Sequence, residues 1–439
     1  MAITRRQFVT RLGALAAAVG MSQADLAKVT EAFAHEAPWG TKWYDKPKVI
    51  WVHGAECTGC STSLLSLFED ARGTAIEGTT TTTLNALNLA VGGTATTDKV
   101  IATSTNHPFG HRTMNNASAA TGMDPDGSAL TTPYAVNIAD VLIDFIALEY
   151  HETVMGMGGD LAYQWLNDAR TTGSTTPFVM VVEGAIQPHA GGGYWNKTGG
   201  AAWCSIGESE DGTGEHRFDE VVADLAARPA CVAIVAIGQC ATFGGYPACV
   251  SPVLGAGQTG AMGTYDFLAA HGATGTKDKV INVPGCPTNP WWFVLTVVAW
   301  LVDATAALNG RTGPLNILDS SLGIKPGAVD RHRRLKAVYG SSVHGPACPR
   351  YQDYCNGVFA AKPGDPGCLQ LIGCKGPATR SLCALHGWNG RQPHNDVAWD
   401  AGIAADTGTK GGFCVTAGHP CMGCTEKGYP DAFVPFVNR

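Results

Sequence analysis

Fifteen cysteines in 439 residues are the chain's most reactive feature, and their spacing sorts them into groups. Four stand in short glycine-bearing motifs: Cys57-Thr58-Gly59-Cys60, Gly238-Gln239-Cys240 and Pro284-Gly285-Cys286-Pro287. Thiolate sulfur is a soft donor, and four such donors on one point suit a tetrahedral thiolate site or an iron-sulfur cubane. A lone Cys-x-x-Cys would equally serve as a redox dithiol or half a zinc site. The flanking glycines let backbone N–H groups come close to the sulfurs of a bound group. A second supply of donors is His344, Cys348, Cys368 and Cys374, followed by Cys383, Cys414, Cys421 and Cys424, which has the count for two further four-ligand sites. Structural zinc shares this ligand chemistry and stays open as the alternative. Disulfides are the weaker alternative, since the cysteine count is odd. Cys204, Cys231, Cys249 and Cys355 are left over and read mostly as plain buried thiols.

Positioning these donors requires a scaffold, and the apolar runs supply one. Runs rich in Val and Ile at 49–53, 141–147, 178–183, 232–237 and 280–283 each end at a glycine or polar turn. Their apolar character is continuous and not alternating, which fits strands buried on both faces of a parallel sheet. Helix-like patterns at 151–169 and 218–227 fall between them. The fold class is therefore α/β: a flavodoxin-like doubly wound parallel sheet, followed by an irregular cluster-bearing domain. Ligands of such sheets gather outside the carboxyl ends of the strands. The first, fourth and fifth runs lead into Cys57 and Cys60, into Cys240 and into Cys286, so four thiolates converge on one rim.

Two stretches break the rhythm, 71–135 (rich in Thr, Gly, Ala and Asn) and 190–216 (rich in Gly, Ser and Trp), and both read as surface insertions. After about residue 315 strand signals fade, while more than half of the cysteines fall between Cys348 and Cys424. A segment so short of long apolar runs needs metal centres to hold it together. The expected division is a sheet domain over 35–315 and a C-terminal domain over 316–439.

With 45% hydrophobic and 15% charged residues the chain is globular and not disordered. Its 37 acidic and 30 basic residues give a net charge of -7 with no long basic run, which argues against a nucleic-acid partner. Residues 1–34 read as a twin-arginine export signal. Thr4-Arg5-Arg6-Gln7-Phe8-Val9 is followed by a mild apolar run over 12–21 and by Ala32-Phe33-Ala34, so that the mature chain begins near His35. This route carries folded proteins, so a cofactor can meet reduced thiols in the cytoplasm before the chain reaches an oxidising compartment. The expected location is the periplasm or the outer face of the cytoplasmic membrane. The apolar stretch 291–308 is interrupted by Asp303 and falls short of ~20 uninterrupted apolar residues, so it reads as a buried helix. No transmembrane anchor is expected, at the C-terminus or elsewhere.

Several motifs, taken in order, carry a resemblance. They are Glu56-Cys57-Thr58-Gly59-Cys60-Ser61, Tyr150-His151-Glu152-Thr153, Val182-Glu183-Gly184, Gly238-Gln239-Cys240-Ala241-Thr242-Phe243-Gly244-Gly245 and Pro284-Gly285-Cys286-Pro287. Cys368-Leu369, Gly373-Cys374-Lys375-Gly376-Pro377, Trp388-Asn389 and Ala417-Gly418-His419-Pro420-Cys421-Met422-Gly423-Cys424 continue the series. Together they resemble the small subunit of nickel-iron hydrogenases over most of residues 48–435, the two insertions excepted. The resemblance implies an electron-transfer subunit with a relay of three iron-sulfur clusters, whose nickel-iron centre lies in a separate large subunit. No residue of this chain would then be catalytic. By position, Cys57, Cys60, Cys240 and Cys286 match the proximal 4Fe-4S cluster, and His344, Cys348, Cys368 and Cys374 the distal 4Fe-4S cluster. Cys383, Cys421 and Cys424 match the medial one. Glu56, Tyr150, His151 and Glu183 would lie near the proximal site or the interface with the large subunit, with a structural role equally open. The implied acceptor is a cytochrome or a membrane partner.

Three comparisons with the family pattern bear on mechanism. The medial cluster is commonly 3Fe-4S, with proline where a fourth cysteine could stand; this chain has Cys414, so a medial 4Fe-4S cluster is expected. Some oxygen-tolerant members add two cysteines around the proximal cluster, at positions that here are Gly59 and Gly245, so an ordinary one-electron cubane is expected. The distal motif usually reads His-x-x-Cys, whereas His344-Gly345-Pro346-Ala347-Cys348 has one more residue between the ligands. Pro349-Arg350 after Cys348 favours it over Cys355. Two other functions stay in view: a zinc-stabilised binding module, and the iron-sulfur subunit of another oxidoreductase complex. The complex I relative resembles the sheet domain alone, so the two additional donor sets argue against it.

Overall fold

The computed structural model describes residues 48–65, 146–171, 177–188, 204–208, 215–250, 259–290, 292–294, 296–297, 329–388 and 413–438. All of them belong to one compact unit. Its strands are β1 (Lys48–His53), β2 (Ala147–His151), β3 (Phe178–Glu183), β4 (Ser205–Glu208), β5 (Glu215–Arg217), β6 (Cys231–Ile237) and β7 (Val280–Val283). Five of them form a parallel sheet in the order β2-β1-β3-β6-β7, and β4 and β5 pair as a separate antiparallel ribbon. Leaving out the ribbon, this is the flavodoxin-like strand order, with its switch point between β1 and β3. The register puts His53 opposite Glu183, Glu183 opposite Ile237 and Ile237 opposite Val283. Four carboxyl ends are therefore level, and the loops leaving them share one rim.

The sheet is dry on both sides. Ile50, Val52, Met180, Val182, Ile234 and Ala236 face one way and pack with Leu166 and Phe218. Val49, Trp51, Val179, Val181 and Val235 alternate with them and are buried as well, Trp51 lying with its ring 5.4 Å from that of Phe293. The first helices are α1 (Gly59–Leu65), α2 (Gly159–Thr171) and α3 (Phe218–Ala227). In α3, Phe218, Val221, Val222, Leu225 and Ala226 form one buried face at helical spacing. Asp219 and Glu220 in its first turn suit the positive end of the helix, and Pro229 stands just beyond Arg228, where the helix stops.

Beyond these lie α4 (Gly238–Phe243), α5 (Thr264–His271), α6 (Lys336–Tyr339), α7 (Tyr351–Cys355) and α8 (Cys383–His386). From residue 329 onward the described elements are short and joined by turns, in line with the expected irregular segment. The segment starts on the sheet: Asn282 of β7 donates its backbone N–H to Arg333 O at 3.0 Å and its side-chain amide to His332 O at 2.9 Å. Buried Arg334 then donates to Asp330 (2.8 Å), to Glu426 (3.1 Å) and to Thr425 O (2.8 Å), tying the start of this segment to its cysteine-bearing end.

Two expectations need correction. The run 141–147 is not where the second strand lies: β2 spans Ala147–His151, and 141–145 fall outside the described residues. The helix expected from 151 begins at Gly159, because Gly156, Gly158 and Gly159, the last at φ 59°, favour a turn first. Part of the insertion 190–216 is ordered as the β4–β5 ribbon. The export signal 1–34, the insertion 71–135, Asn389 and all of 291–308 except 292–294 and 296–297 lie outside the described residues. Among the described residues no helix is long and apolar enough to cross a membrane. Phe218, 1% exposed, fills the space over Gly54 and joins α3 to the sheet. Phe218→Ala should cost about 3–5 kcal/mol of stability, read as a lowered unfolding midpoint in denaturant; an unchanged midpoint would contradict this packing.

Candidate metal centres

The first set of donors sits on the level rim. β1 runs into the loop carrying Cys57, and α1 begins at Gly59, placing Cys60 in its first turn. Thr58 between them has φ 59°, an unfavourable region for a residue with a Cβ, and its hydroxyl donates to Glu56 at 3.1 Å. Cys240 rides on α4, which follows β6 without a loop, and Cys286 follows β7 across Pro284-Gly285. The four cysteines line one recess of ≈ 280 Å³, partly open to solvent, together with Glu56, Gly238 and Glu183. Gly238 has φ 84°, and a Cβ there would lie 2.5 Å from Cys60 Sγ. Gly245 has φ 52° and the same relation to Cys240 Sγ, at 2.9 Å. Only glycine lets the backbone approach these sulfurs so closely.

Burial pushes the Cys240 thiol up to about 12, with the Cys286 and Cys57 thiolates adding to it. Burial and the Cys57 thiolate push Cys286 up to about 11. Cys60, Cys240 and Cys286 therefore favour the neutral thiol on their own, and a polynuclear iron core or Zn²⁺ would supply the missing positive charge, so the donor types suit either.

Beneath the quartet, Glu183 (2% exposed) is saturated with donors. Its Oε1 accepts from Cys60 N (3.0 Å) and Ser61 N (3.1 Å), and its Oε2 from Trp51 Nε1 (3.0 Å) and Ser61 Oγ (2.5 Å). It thereby satisfies two free N–H groups at the start of α1. His53 Nδ1 donates to Glu56 Oε1 at 3.2 Å and lies 4.0 Å from Glu183 Oε2. Glu152 accepts from His53 N (3.3 Å) and from Tyr150 Oη (3.4 Å). The ligand atoms of His53, Glu56 and Glu183 lie within 4.8 Å of one another. Glu183 already takes four donors, however, so this group reads as a hydrogen-bonded ion cluster and not as a further metal site.

Burial opposes charge on His53, but the hydrogen bond to Glu56 and the charges of Glu183 and Glu152 outweigh it and hold its pKa above 6.5. His151 goes the other way, to about 3, through burial and the neighbouring charge of His53. His151 Nδ1 accepts from Thr153 N (3.1 Å) and Val154 N (3.3 Å), which leaves its proton on Nε2, facing Ser61 Oγ at 3.2 Å. Glu56, Tyr150, His151 and Glu183 thus all gather beside the first quartet. Trp51, His53, Ser61 and Glu152 are not singled out by sequence reasoning, although position offered a signal for two: His53 ends β1, and Ser61 follows Cys60.

The C-terminal donors form two more groups. Burial, partly offset by the Arg350 N–H, and the thiolates of Cys374 and Cys368 push Cys348 up to about 11. His344 belongs to the same group, since a Cβ on Gly376 would lie 3.4 Å from Cys374 Sγ and 3.5 Å from His344 Cβ. The imidazole is ringed by Tyr354 (4.5 Å) and Tyr351 (5.2 Å). Arg350 donates to Asp365 O (2.7 Å) and Gly367 O (2.6 Å), pinning the loop before Cys368. Cys355 is exposed at the end of α7. In the remaining group, burial raises Cys383 to about 12, with Cys414 adding to it. Cys424 is pushed well up by burial and then by Cys383, Cys414 and Cys421.

The groups follow one another in space. The charge of Cys286 in the first quartet adds to the raised pKa of Cys424, and Cys421 N donates to Cys374 Sγ at 3.3 Å. The group of Cys383, Cys414, Cys421 and Cys424 therefore stands between the other two. Polar links hold it to the first rim: Gln239 Nε2 to Glu426 O (2.8 Å), Trp388 Nε1 to Cys286 O (3.1 Å), Asn289 Nδ2 to Gly387 O (3.0 Å) and Tyr339 Oη to Pro284 O (2.7 Å). Of the unassigned cysteines, Cys231 is buried in β6 and raised to about 12 by that burial. Cys204 and Cys249 are half-buried beside Gln187 and Asp431.

Neutral His151 has a consequence in solution. Its folded pKa lies below 6.5, so between 6.5 and about 3 the unfolded chain binds the extra proton. Its contribution to stability is full above 6.5 and is lost as the pH falls toward 3. The gap in unfolding temperature between the parent and His151→Gln should narrow as the pH is lowered through this window; a constant gap would show that His151 is not held neutral.

Comparisons with known proteins bear on these groups. The family described as NADH ubiquinone oxidoreductase, 20 Kd subunit, matches residues 129–300, and the family of the C-terminal part of the NiFe/NiFeSe hydrogenase small subunit matches residues 339–403. The periplasmic NiFeSe hydrogenase small subunit of Desulfomicrobium baculatum is 30% identical over 440 residues, covering 99% of each chain. The periplasmic NiFe hydrogenase small subunit 1 of Nitratidesulfovibrio vulgaris is 27% identical, over 99% of this chain and 93% of that one. Among solved structures, the H2-activated NiFeSe hydrogenase of Dm. baculatum has a chain that is 28% identical, with a TM-score of 0.55, covering 90% of this chain and 99% of its own. The recombinant NiFeSe hydrogenase of Desulfovibrio vulgaris Hildenborough gives 26% identity and a TM-score of 0.56. With near-complete coverage at this identity, and the rim and donor groups in place, the chain belongs to the small subunits of nickel-iron hydrogenases.

Proposed function

We propose that this small subunit is the electron conduit of its hydrogenase. It pairs with a large subunit that bears the nickel-iron centre, holds three iron-sulfur clusters, and connects that centre to an external acceptor, a cytochrome or a membrane partner. The observation that carries this reading is the serial arrangement of the three donor groups: Trp388 Nε1 donates to Cys286 O and Gln239 Nε2 to Glu426 O, joining the first group to the second, and Cys421 N donates to Cys374 Sγ, joining the second to the third. Cys57, Cys60, Cys240 and Cys286 would hold the proximal cluster, Cys383, Cys414, Cys421 and Cys424 the medial, and His344, Cys348, Cys368 and Cys374 the distal. When bound, such clusters supply one-electron carriers.

The chain's own groups set the conditions for that transfer. Glu183 fixes the backbone of Cys60 and Ser61. N–H groups approach two of the ligand sulfurs, Thr288 N at 3.5 Å from Cys60 Sγ and Cys421 N at 3.3 Å from Cys374 Sγ, and such bonds favour the more negative, reduced state. At the far end His344 offers a neutral donor where the others are anionic, which raises the potential there. Tyr354 beside it is exposed, which leaves this end open to an acceptor.

The sheet domain over 35–315 would carry the proximal cluster and the domain over 316–439 the other two. Arg5-Arg6 and the word periplasmic in the names of the D. baculatum and N. vulgaris relatives support export by the twin-arginine route.

The complex with its large subunit should contain about 12 cluster iron atoms per small subunit, in addition to the iron of the nickel-iron centre, and should reduce dyes with hydrogen. Zinc in place of iron would leave a structural module and overturn the reading. Because Cys414 joins Cys383, Cys421 and Cys424, the native complex should show no oxidised 3Fe-4S signal in spin-resonance spectra, and Cys414→Pro should create one. Such a signal in the native complex would rule out Cys414 as a ligand.

A further inference from the structure

Two tyrosines occupy the junction between the first and medial cysteine groups. Tyr339, at the end of α6, is fully buried, and its phenol donates to Pro284 O at 2.7 Å, next to the Gly285-Cys286 turn. One neighbour of its ring is the Arg334 guanidinium, 5.3 Å from the centroid, and another is the Trp292 ring, edge-on at 5.7 Å. Arg334 is itself buried and donates to Thr425 O, the residue after Cys424. The ring is thus tethered on one side to the proximal loop and on the other to the medial loop. Burial raises its phenol well above the usual range, and the charges of Cys383, Cys424 and Cys60 add to this against the pull of Arg334. Tyr429 flanks the same junction, its hydroxyl 2.9 Å from that of Tyr246.

We propose that Tyr339 is a positioning residue for electron transfer, its ring a dry spacer that holds the proximal and medial groups in fixed relation and excludes water from the space between them. The inference rests on the three-cluster reading. Solvent exposure is one of the factors that set the potential of an iron-sulfur cluster, because water favours the more negative reduced state. A spacer that admits water would therefore raise the medial potential, whereas an ordinary core ring would change stability alone. The phenol tether matters less than the ring, because Arg334 and Trp292 also hold it.

The test uses the complete complex carrying Tyr339→Phe or Tyr339→Ala, with iron content, a spin-resonance redox titration and deuterium modulation at the reduced medial cluster after exchange into heavy water. Tyr339→Phe should match the parent in all three. Tyr339→Ala should keep its iron, shift the medial midpoint upward and gain deuterium modulation. A Tyr339→Ala complex with full iron and parental values of both readouts would overturn the proposal. An equal shift in Tyr339→Phe would also overturn it, by assigning the effect to the tether. If Tyr339→Ala loses iron, Tyr339→Leu takes its place with the same two readouts and the same opposing outcomes. A parent complex without iron would instead sink the cluster reading beneath it.

Discussion

Thiols crowded together in a dry interior resist ionisation twice over, once because burial strips them of water and again because each thiolate repels the next. Cys240 and Cys383 at about 12 and Cys286 and Cys348 at about 11 express that resistance. Such thiols stay protonated on their own, and a positively charged group among them would favour their thiolate form as ligands. The same constraint explains the irregular stretch from residue 329: its described elements are short, and its described loops are pinned by single buried arginines and by sulfur-to-backbone contacts.

The sheet's part is to make the first group rigid. Level carboxyl ends at His53, Glu183, Ile237 and Val283 deliver the proximal loops to one rim. Glu183 then locks the most buried of those cysteines through the backbone of α1. From that anchor the medial group is held by hydrogen bonds from Gln239, Trp388, Asn289 and Tyr339, each joining a proximal loop to the C-terminal segment. Several such bonds acting together fix a separation that one alone would not, and the proposed electron transfer would depend on that separation.

Much of this was legible in the amino acids. The strands β1, β3, β6 and β7 could be read because strands buried on both faces must be apolar throughout. The cysteines could be read because soft-donor chemistry tolerates few substitutes. The second strand was misplaced because the apolar run ends at Ala147, while the observed strand continues through Glu149, Tyr150 and His151, of which Glu149 and His151 find partners in Lys48 and Ser61, far away in sequence. For the same reason the roles of His53 and Ser61 were not visible. Their chemistry depends on Glu183, more than a hundred residues away, and only the parallel register brings that carboxylate beneath Cys60. The place of Tyr339 at the junction follows from contacts with Pro284 and Arg334 that no local pattern announces.

Diffraction data collected from crystals of the complete complex on either side of the iron absorption edge would locate the metal directly. The account predicts three iron peaks within this chain, one in each donor group and all separate from the iron of the large subunit's nickel-iron centre, with Cys414 bound to the central one and His344 to the outermost. Peaks at the zinc edge instead, or iron in fewer than three of the groups, would contradict it.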